Sequence, residues 1–168
     1  ADNVPDLLWT KDLEGKFTFV NQAMCDKLLM CQSPNQALGK TDMFFAERER
    51  KAGYKHTFGE TCSDSDAVIK QRKVPVRFKD DGLVRNKYLV LDVHKAPFLD
   101  ENGEMIGTVG CGRDVTKEKE TENALRDSEE RYKTIFETVP TSIVFIDKKG
   151  DIVDINPFHL NHIGKGKT

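Results

Sequence analysis

Long apolar runs are missing from this chain of 168 residues. Its longest, "SIVFI" and "YLVL", fall far short of the ~20 residues that cross a bilayer, so no membrane segment is expected within it. A basic stripe with interleaved aromatics is missing as well. With a net charge of -2, that argues against a nucleic-acid partner, because phosphate binding needs Lys and Arg clustered on one face. The four cysteines, Cys25, Cys31, Cys62 and Cys111, show neither CxxC nor CxxCH spacing, which excludes covalent haem attachment. They read as buried thiols in a reducing cytosol, and a cytoplasmic location is expected. GxSxG, a Gly-rich loop leading into Lys-Ser/Thr, and HExxH are all absent. Nothing orders His, Cys and Asp into a nucleophile, a base and an orienting group. No catalytic residue is assigned, and no enzymatic activity is expected of this piece. The opening "ADNVPDLLWT" has neither a starting Met nor a basic and apolar leader, so the chain is expected to be a piece of a longer protein.

What the chain does have is one passage written twice. "VPDLLWTKDLEGKFTFVN" near the start and "VPTSIVFIDKKGDIVDIN" near the end agree at five of eighteen positions at one constant offset, where composition alone gives roughly one. Val4, Pro5, Asp12, Gly15 and Asn21 match Val139, Pro140, Asp147, Gly150 and Asn156. Apolar residues also replace apolar ones: Leu8 by Ile143, Trp9 by Val144, Phe17 by Ile152 and Val20 by Ile155. Such an internal repeat points to tandem copies of one module, the second of them only begun.

Along the first copy, residues 7 to 12 and 17 to 21 are apolar or β-branched runs around "DLEG", where Gly15 supplies the positive φ of a hairpin. Asn21 is placed to cap a short helix in "QAMCDKLLMC", whose Ala23, Met24, Lys27, Leu28 and Cys31 follow helical spacing. Residues 33 to 72 read as small helical pieces broken at Gly39, Gly53 and Gly59, with Asp64 capping "SDAVIKQR". Three strands follow: "VPVRFKD", then after a turn at "DDGL" the long "NKYLVLDVHKAPF", then after "DENG" the strand "EMIGTVGCGRDV". Strands at both ends with helices between them imply an α+β layer, one antiparallel sheet with the helices on one face and a closed space between.

The hairpin with "GKFTFVNQA", the phrase "ALGKTDMFF", the ending "APFLDENGEMIGTVGCGRDVT" and the charged helix after it together resemble a PAS domain with its C-terminal motif. The match covers about residues 3 to 116. The resemblance implies a five-stranded sheet in the order 2-1-5-4-3, a small-molecule pocket or a dimer surface, and a role as sensor input in a prokaryotic signalling protein. It divides the chain into a sensor domain (1–115), a helical signalling linker (116–139) and the truncated start of a second domain (140–168). The effector, of histidine kinase, diguanylate cyclase or other type, is expected outside these residues.

From Val115 to Val139 there is no Gly or Pro, and Glu122/Arg126, Asp127/Arg131 and Glu129/Lys133 stand at i,i+4 with the acid on the favourable side. A helix of about 35 Å follows at ~1.5 Å per residue. Leu125, Ser128, Tyr132, Ile135 and Val139 alternate by three and four, the seam of a coiled coil. A homodimer interface of Leu125, Tyr132, Ile135 and Val139 is expected, against the simpler reading of a solvated helix. Residues 140–168, holding only the opening of a module, are expected to be disordered or to add strands to another chain's edge.

A ligand would lie noncovalently between the sheet and residues 44 to 69, and Phe44, His56, Phe58, Cys62 and Val109 are the residues chosen to meet it. His56 suits a haem iron if it faces the sheet, and is a surface residue otherwise. His94 falls outside the sheet if Leu89, Leu91 and Val93 face the core. Gly107, Gly110 and Gly112 either leave room for a ligand or allow close packing. His159 and His162 stand at i,i+3 without converging partners, so no metal site is assigned. Flavin sensors of this family carry an Asn-Cys-Arg signature that is absent here, and the cofactor is left unknown. The leading reading is a sensory and relay module, and the alternative is a ligand-free dimerisation or protein-interaction module of the same fold.

Overall fold

In the computed structural model, residues 6–163 are described; the repeat positions Val4 and Pro5 lie outside them. The chain divides into two compact units, residues 1–119 and 120–168.

The first unit opens with the hairpin β1 (Leu7–Asp12) and β2 (Phe17–Val20), turned at Gly15 with φ +80°. Asn21 caps the following turn by accepting from the Met24 N–H, and its side chain also bonds Leu8 N and Asp6 O, tying hairpin to helix. The helix α1 (Gln22–Met24) passes into a π turn over Cys25–Leu29 and stops at Met30 in the left-handed region. A single 3-10 turn, Pro34–Gln36, leads to α2 (Asp42–Lys51) and α3 (Phe58–Arg72). The strands β3 (Val76–Val84), β4 (Lys87–Leu99) and β5 (Met105–Asp114) complete one antiparallel sheet in the order β2-β1-β5-β4-β3. This is the α+β architecture and the strand order that the resemblance implies.

Three local expectations are corrected. Gly59 and Asp64 do not divide the helical region, because α3 runs through both. A Cβ at Gly59 would stand 2.6 Å from Ala46 Cβ and 2.8 Å from Met43 Sδ. The glycine is there so that α2 and α3 can pack closely, not to end a helix. "DDGL" is strand, not turn, and β3 pairs with β4 through it. The reversal falls at Arg85 and Asn86, both at positive φ (46° and 68°), the two-residue hairpin form that asparagine tolerates well. Gly82 instead leaves space for the Thr57 hydroxyl, which accepts a hydrogen bond from Leu83 N at 2.9 Å.

Period-two alternation sets what the sheet buries. Leu7, Trp9 and Lys11 of β1 face the helices, as do Leu89, Leu91, Val93 and Lys95 of β4, and all seven are buried. On β5 the glycines are filled over. A Cβ on Gly110 would overlap the Trp9 indole, while one on Gly112 would make ordinary contacts of 3.5 to 3.7 Å with Val93 and Trp9. Close packing, by the Trp9 indole, is what the glycine at 110 serves.

The second unit holds most of the helix α4 (Thr116–Thr138), then β6 (Val144–Ile146), β7 (Ile152–Ile155) and α5 (Pro157–Ile163). Contrary to disorder, residues 144–155 close as a hairpin. Its determinants are local ones: Gly150 at φ +90° makes the turn, and Asn156 bonds Ile143 N, Thr141 O and His159 N. Phe145 also packs on Tyr132 and Phe136 of α4, with ring centroids 5.8 Å apart in both pairs. Ile146, Ile152, Val153 and Leu160 stay exposed, so this unit has the frame of a core without its cover.

If Trp9 occupies the volume that Gly110 leaves free, Gly110→Ala should lower unfolding free energy by about 1–3 kcal/mol through overpacking. Gly112→Ala, with ordinary contacts waiting for its methyl group, should be near neutral. Urea denaturation of both variants measures the difference, and equal losses would refute the packing account.

Candidate functional site

The inward face of the sheet carries two lysines where apolar residues would continue the pattern. Lys11 and Lys95 are each 2% exposed. Lys11 Nζ donates to Asp42 Oδ2 and to Asp66 Oδ2, at 2.5 Å each. Lys95 Nζ donates to Asp66 Oδ1 and Ser65 Oγ at 2.6 Å, and to the Cys62 carbonyl at 3.2 Å. Asp42 stands in the first turn of α2, and Cys62, Ser65 and Asp66 share one face of α3. Two strands and two helices therefore meet in one buried ionic cluster.

Burial pulls the Lys11 ammonium toward neutrality, but the Asp42 and Asp66 carboxylates outweigh it and its pKa lies above the usual lysine value. Burial likewise raises the Asp66 carboxyl, and Lys11 and Lys95 overcome that, so its pKa falls below the ordinary carboxylate range. Asp80, also buried, is pushed up by desolvation against a weaker pull from Lys95 and from Ser65, whose hydroxyl is 3.5 Å away. Desolvation raises the Cys62 thiol, with Asp42 adding to it. Several polar atoms in the interior find no partner: Trp9 Nε1, Thr108 Oγ1, Asp42 Oδ1 and His56 Nδ1. Lys11 and Thr108 are cross-strand partners, as are Trp9 and Gly110, and Gly110 also pairs with Lys95. The inner sheet face thus presents a donor and a hydroxyl with unmet bonding capacity beside the cluster.

The five residues chosen from sequence to meet a ligand are not one group here. Cys62 belongs to the cluster through its carbonyl. Phe58 is core, 1% exposed, packed where Gly82 leaves space. His56 is buried in the segment just before α3, its carbonyl accepting from Arg50 at 2.7 and 2.9 Å. Its pKa is lowered by burial, partly offset by Glu49. Phe44 is 43% exposed, edge-on to Phe45 and beneath Lys40. Val109 lies on the opposite sheet face, in a groove with Leu8, Val76, His94 and Cys111. Alternation decides this last case, since Thr108 and Gly110 point inward and Val109 cannot. Phe44 and Val109 are therefore not walls of the interior, and His94 is exposed on the outer face.

Lys11, Lys95, Asp42 and Asp66 escaped the sequence reading. A signal existed for the lysines, each continuing an inward apolar series, Leu7-Trp9-Lys11 and Leu91-Val93-Lys95. The carboxylates had none beyond a helical step from Cys62 to Asp66 and on to Ile69. Among the described residues, no group of three or more His, Cys, Asp or Glu is placed to hold a metal ion. No helix of those residues is long and apolar enough to cross a membrane.

Fold and interior define an antiparallel sheet closed by helices around a polar centre, and comparison with known proteins gives that class its name. The chain belongs to the PAS family: a family model described as PAS fold matches residues 1–120, and one described as PAS domain matches residues 130–166. Three solved structures are similar to it. VqmA of Vibrio cholerae, in a ligand and DNA complex, is 20% identical with a TM-score of 0.50, over 68% of this chain and 48% of that one. A phage VqmA–DPO complex is 20% identical with a TM-score of 0.50, over 74% and 54%. A sensory box sensor histidine kinase from Vibrio cholerae is 13% identical with a TM-score of 0.50, over 68% and 86%. At these identities the likeness is one of fold, and the chain spans about half the length of the VqmA chains. No curated protein matches it.

The cluster gives stability a defined pH profile. Asp66, lowered in the fold, stabilises fully above the unfolded value near pH 4, and that contribution is lost as pH falls through its lower folded value. Lys11, raised in the fold, stabilises fully below about pH 10.4 and loses this as pH rises through its higher folded value. His56, lowered, adds a decline as pH falls from about 6.5, because only the unfolded chain then takes the proton readily. Asp80, raised, opposes the acid loss in part. Burial raises the Cys62 thiol, which costs stability as pH rises past the unfolded value near 8.5, so denaturation midpoints should plateau between about pH 7 and 8 and fall in two stages on acidification. His56→Asn should remove the first stage alone.

Proposed function

We propose that the first unit is a sensory input domain that reads a small molecule at the buried ionic cluster and passes the change to α4. One observation carries this: four charged side chains occupy the place where an apolar core is more stabilising. Buried ion pairs add little stability against well-packed apolar residues, so their presence calls for another role, and buried titratable clusters mark functional sites. The exit path is built from hydrogen bonds. Asp114 at the end of β5 accepts from Thr116 N and Oγ1 at 3.1 and 2.7 Å, and its other oxygen lies 3.3 Å from Lys27 Nζ. Thr116 Oγ1 in turn accepts from Val90 N, and Val115 N donates to Val90 O. The first turn of α4 is thereby fixed to two strands of the sensing sheet, and a shift in those strands reaches the helix.

Further parts of this reading concern the rest of the protein. Residues 1–115 act as the sensor, 116–139 as the linker, and 140–168 as the opening of a second tandem PAS unit, whose hairpin repeats the register of the first. The output lies in an effector of histidine kinase or diguanylate cyclase type in a cytoplasmic signalling protein, and this piece itself is not catalytic. The linker pairs with its twin, because Leu125, Tyr132 and Ile135 remain 47 to 61% exposed along one stripe of α4, the narrow seam of a parallel coiled coil. The same stripe supports the second reading, a ligand-free dimerisation module.

Two experiments test these readings. Lys95→Met alone should cost about 3–5 kcal/mol by leaving Asp66 underpaired. The combined Lys11→Met, Lys95→Met, Asp42→Leu and Asp66→Leu protein should regain most of that, yet lose any small molecule retained by wild type in mass spectra of denatured material. Retention of the same molecule by the combined variant would refute sensing at the cluster. For the linker, Leu125→Glu with Ile135→Glu should shift sedimentation from dimer toward monomer, because each places a charge at a desolvated position. Unchanged mass at equal concentration would remove the coiled coil.

A further inference from the structure

Two of the four cysteines meet across the turn that ends the first helix. Cys25 opens the π turn Cys25–Leu29, Met30 stops it at φ +51°, and Cys31 follows. The Cys25 carbonyl accepts from Met30 N and from Cys31 N, the latter at 3.2 Å. That bond across the turn keeps the two residues near the α-carbon separation, roughly 4.4–6.8 Å, that a disulfide spans. The side chains complete the contact. Burial, and the hydrogen bond that the Cys25 thiol makes to Cys31, push that thiol up to about 12, and the Cys31 thiol in turn donates to Ser33 O at 3.7 Å. Cys25 is fully buried, whereas Cys31 is 7% exposed. The other two cysteines lie elsewhere, Cys62 on α3 with its carbonyl on Lys95 and Cys111 in the outer groove of the sheet.

A dithiol resists oxidation when its reduced form is stabilised as a thiolate. Here the Cys25 thiol keeps its proton at neutral pH, so the fold gives the reduced pair no such advantage. Burial slows exchange, but the end point depends only on the two end states. We propose that Cys25 and Cys31 are a redox-sensing dithiol, which a low-molecular-weight disulfide converts to an intramolecular disulfide that closes the π turn. Cys31, the more exposed, attacks first: its Sγ bonds to one sulfur of the oxidant, and the other leaves as a thiol, taking up the proton that Cys31 gave to solvent. Cys25 then gives up its proton, bonds to Cys31 Sγ and releases the second small thiol, which takes that proton. Two cysteine thiols and one disulfide become one protein disulfide and two small thiols, the cysteine sulfurs oxidised and the oxidant's sulfurs reduced. Lys27 stands inside the closed loop and reaches Asp114 Oδ2 at 3.3 Å. The turn's redox state therefore acts on the residue that anchors α4, a consequence that rests on the relay reading above.

The test brings the full chain to equilibrium in buffers of 2-mercaptoethanol and bis(2-hydroxyethyl) disulfide, folded and in urea, then alkylates and digests it with trypsin. Cleavage after Lys27 separates Cys25 from Cys31, so the disulfide appears as peptide 17–27 joined to peptide 28–40. The folded chain should hold this link at a thiol-to-disulfide ratio about tenfold or more above that tolerated in urea, with Cys62 and Cys111 alkylated. By linkage, the oxidised protein should also show a higher urea midpoint than the reduced one. These measurements need no variant. Cys25→Ala should in addition leave Cys31 as a mixed disulfide with the probe, and Cys31→Ala should leave Cys25 unmodified. No joined peptides from folded protein, a link no more favoured than in urea, or pairing of either cysteine with Cys62 or Cys111 would each overturn the proposal. The sensory reading at the lysine cluster does not depend on this result.

Discussion

Asp66 is the side chain on which the arrangement of the first unit turns. One of its oxygens holds Lys11 of β1 and the other holds Lys95 of β4, and between those two strands lies β5. A single carboxylate thus spans three strands from the helical side and fixes the rotation of α3, because only one helix face can present it. That same face brings Ser65 and the Cys62 carbonyl to Lys95. Desolvation costs on the order of several kcal/mol per buried ion, and the two carboxylates offset that cost by pairing with the lysines. Asp42 extends the constraint to α2. Its position in the first helical turn also places its negative charge where the helix dipole favours it.

This arrangement makes the interior sensitive in a way an apolar core is not. Apolar packing tolerates a shift with a graded loss of contact, whereas an ion pair in a medium of low dielectric changes steeply with small displacements. A movement of α2 or α3 that lengthens one of the Lys11 or Lys95 contacts redistributes charge onto the remaining ones. One of the strands carrying those lysines, β4, is tied to the first turn of α4 through Val90, and β5, which lies between β4 and the other lysine strand, is tied to it through Asp114. The relay proposed for the first unit runs through the sheet for this reason.

Most of the architecture was legible because it is written in local patterns. Hairpin turn, Asn21 cap and strand alternation each depend on a few adjacent residues, and the sheet order followed from the resemblance they carried. The misread positions are those where a distant neighbour decides. Gly59 looks like a break until Ala46 and Met43 are seen against it, and Gly82 looks like a turn until Thr57 fills its space. For a related reason, the residues chosen to meet a ligand are not brought together. Aromatics and histidine were preferred on general grounds, whereas the interior is organised by lysines whose inward position was implied by alternation and whose carboxylate partners lie 31 and 55 residues from Lys11 in the chain. No sequence pattern announces such a pair, since it exists only once helices and sheet have met.

The second hairpin shows what the lysine is not for. It reproduces the first in register, with Val144 opposite Ile155 as Trp9 is opposite Val20, and Ile146 opposite Ile152 as Lys11 is opposite Phe17. The irregularity between the last two pairs recurs, and Asn156 makes the three bonds that Asn21 makes. At the place of Lys11 it carries isoleucine. Turn, register and cap therefore form equally well without the lysine, and an apolar residue suits that place in the strand. Nothing in the hairpin's own folding requires a charge at position 11, so the reason for Lys11 lies in the carboxylates that surround it, Asp42 and Asp66.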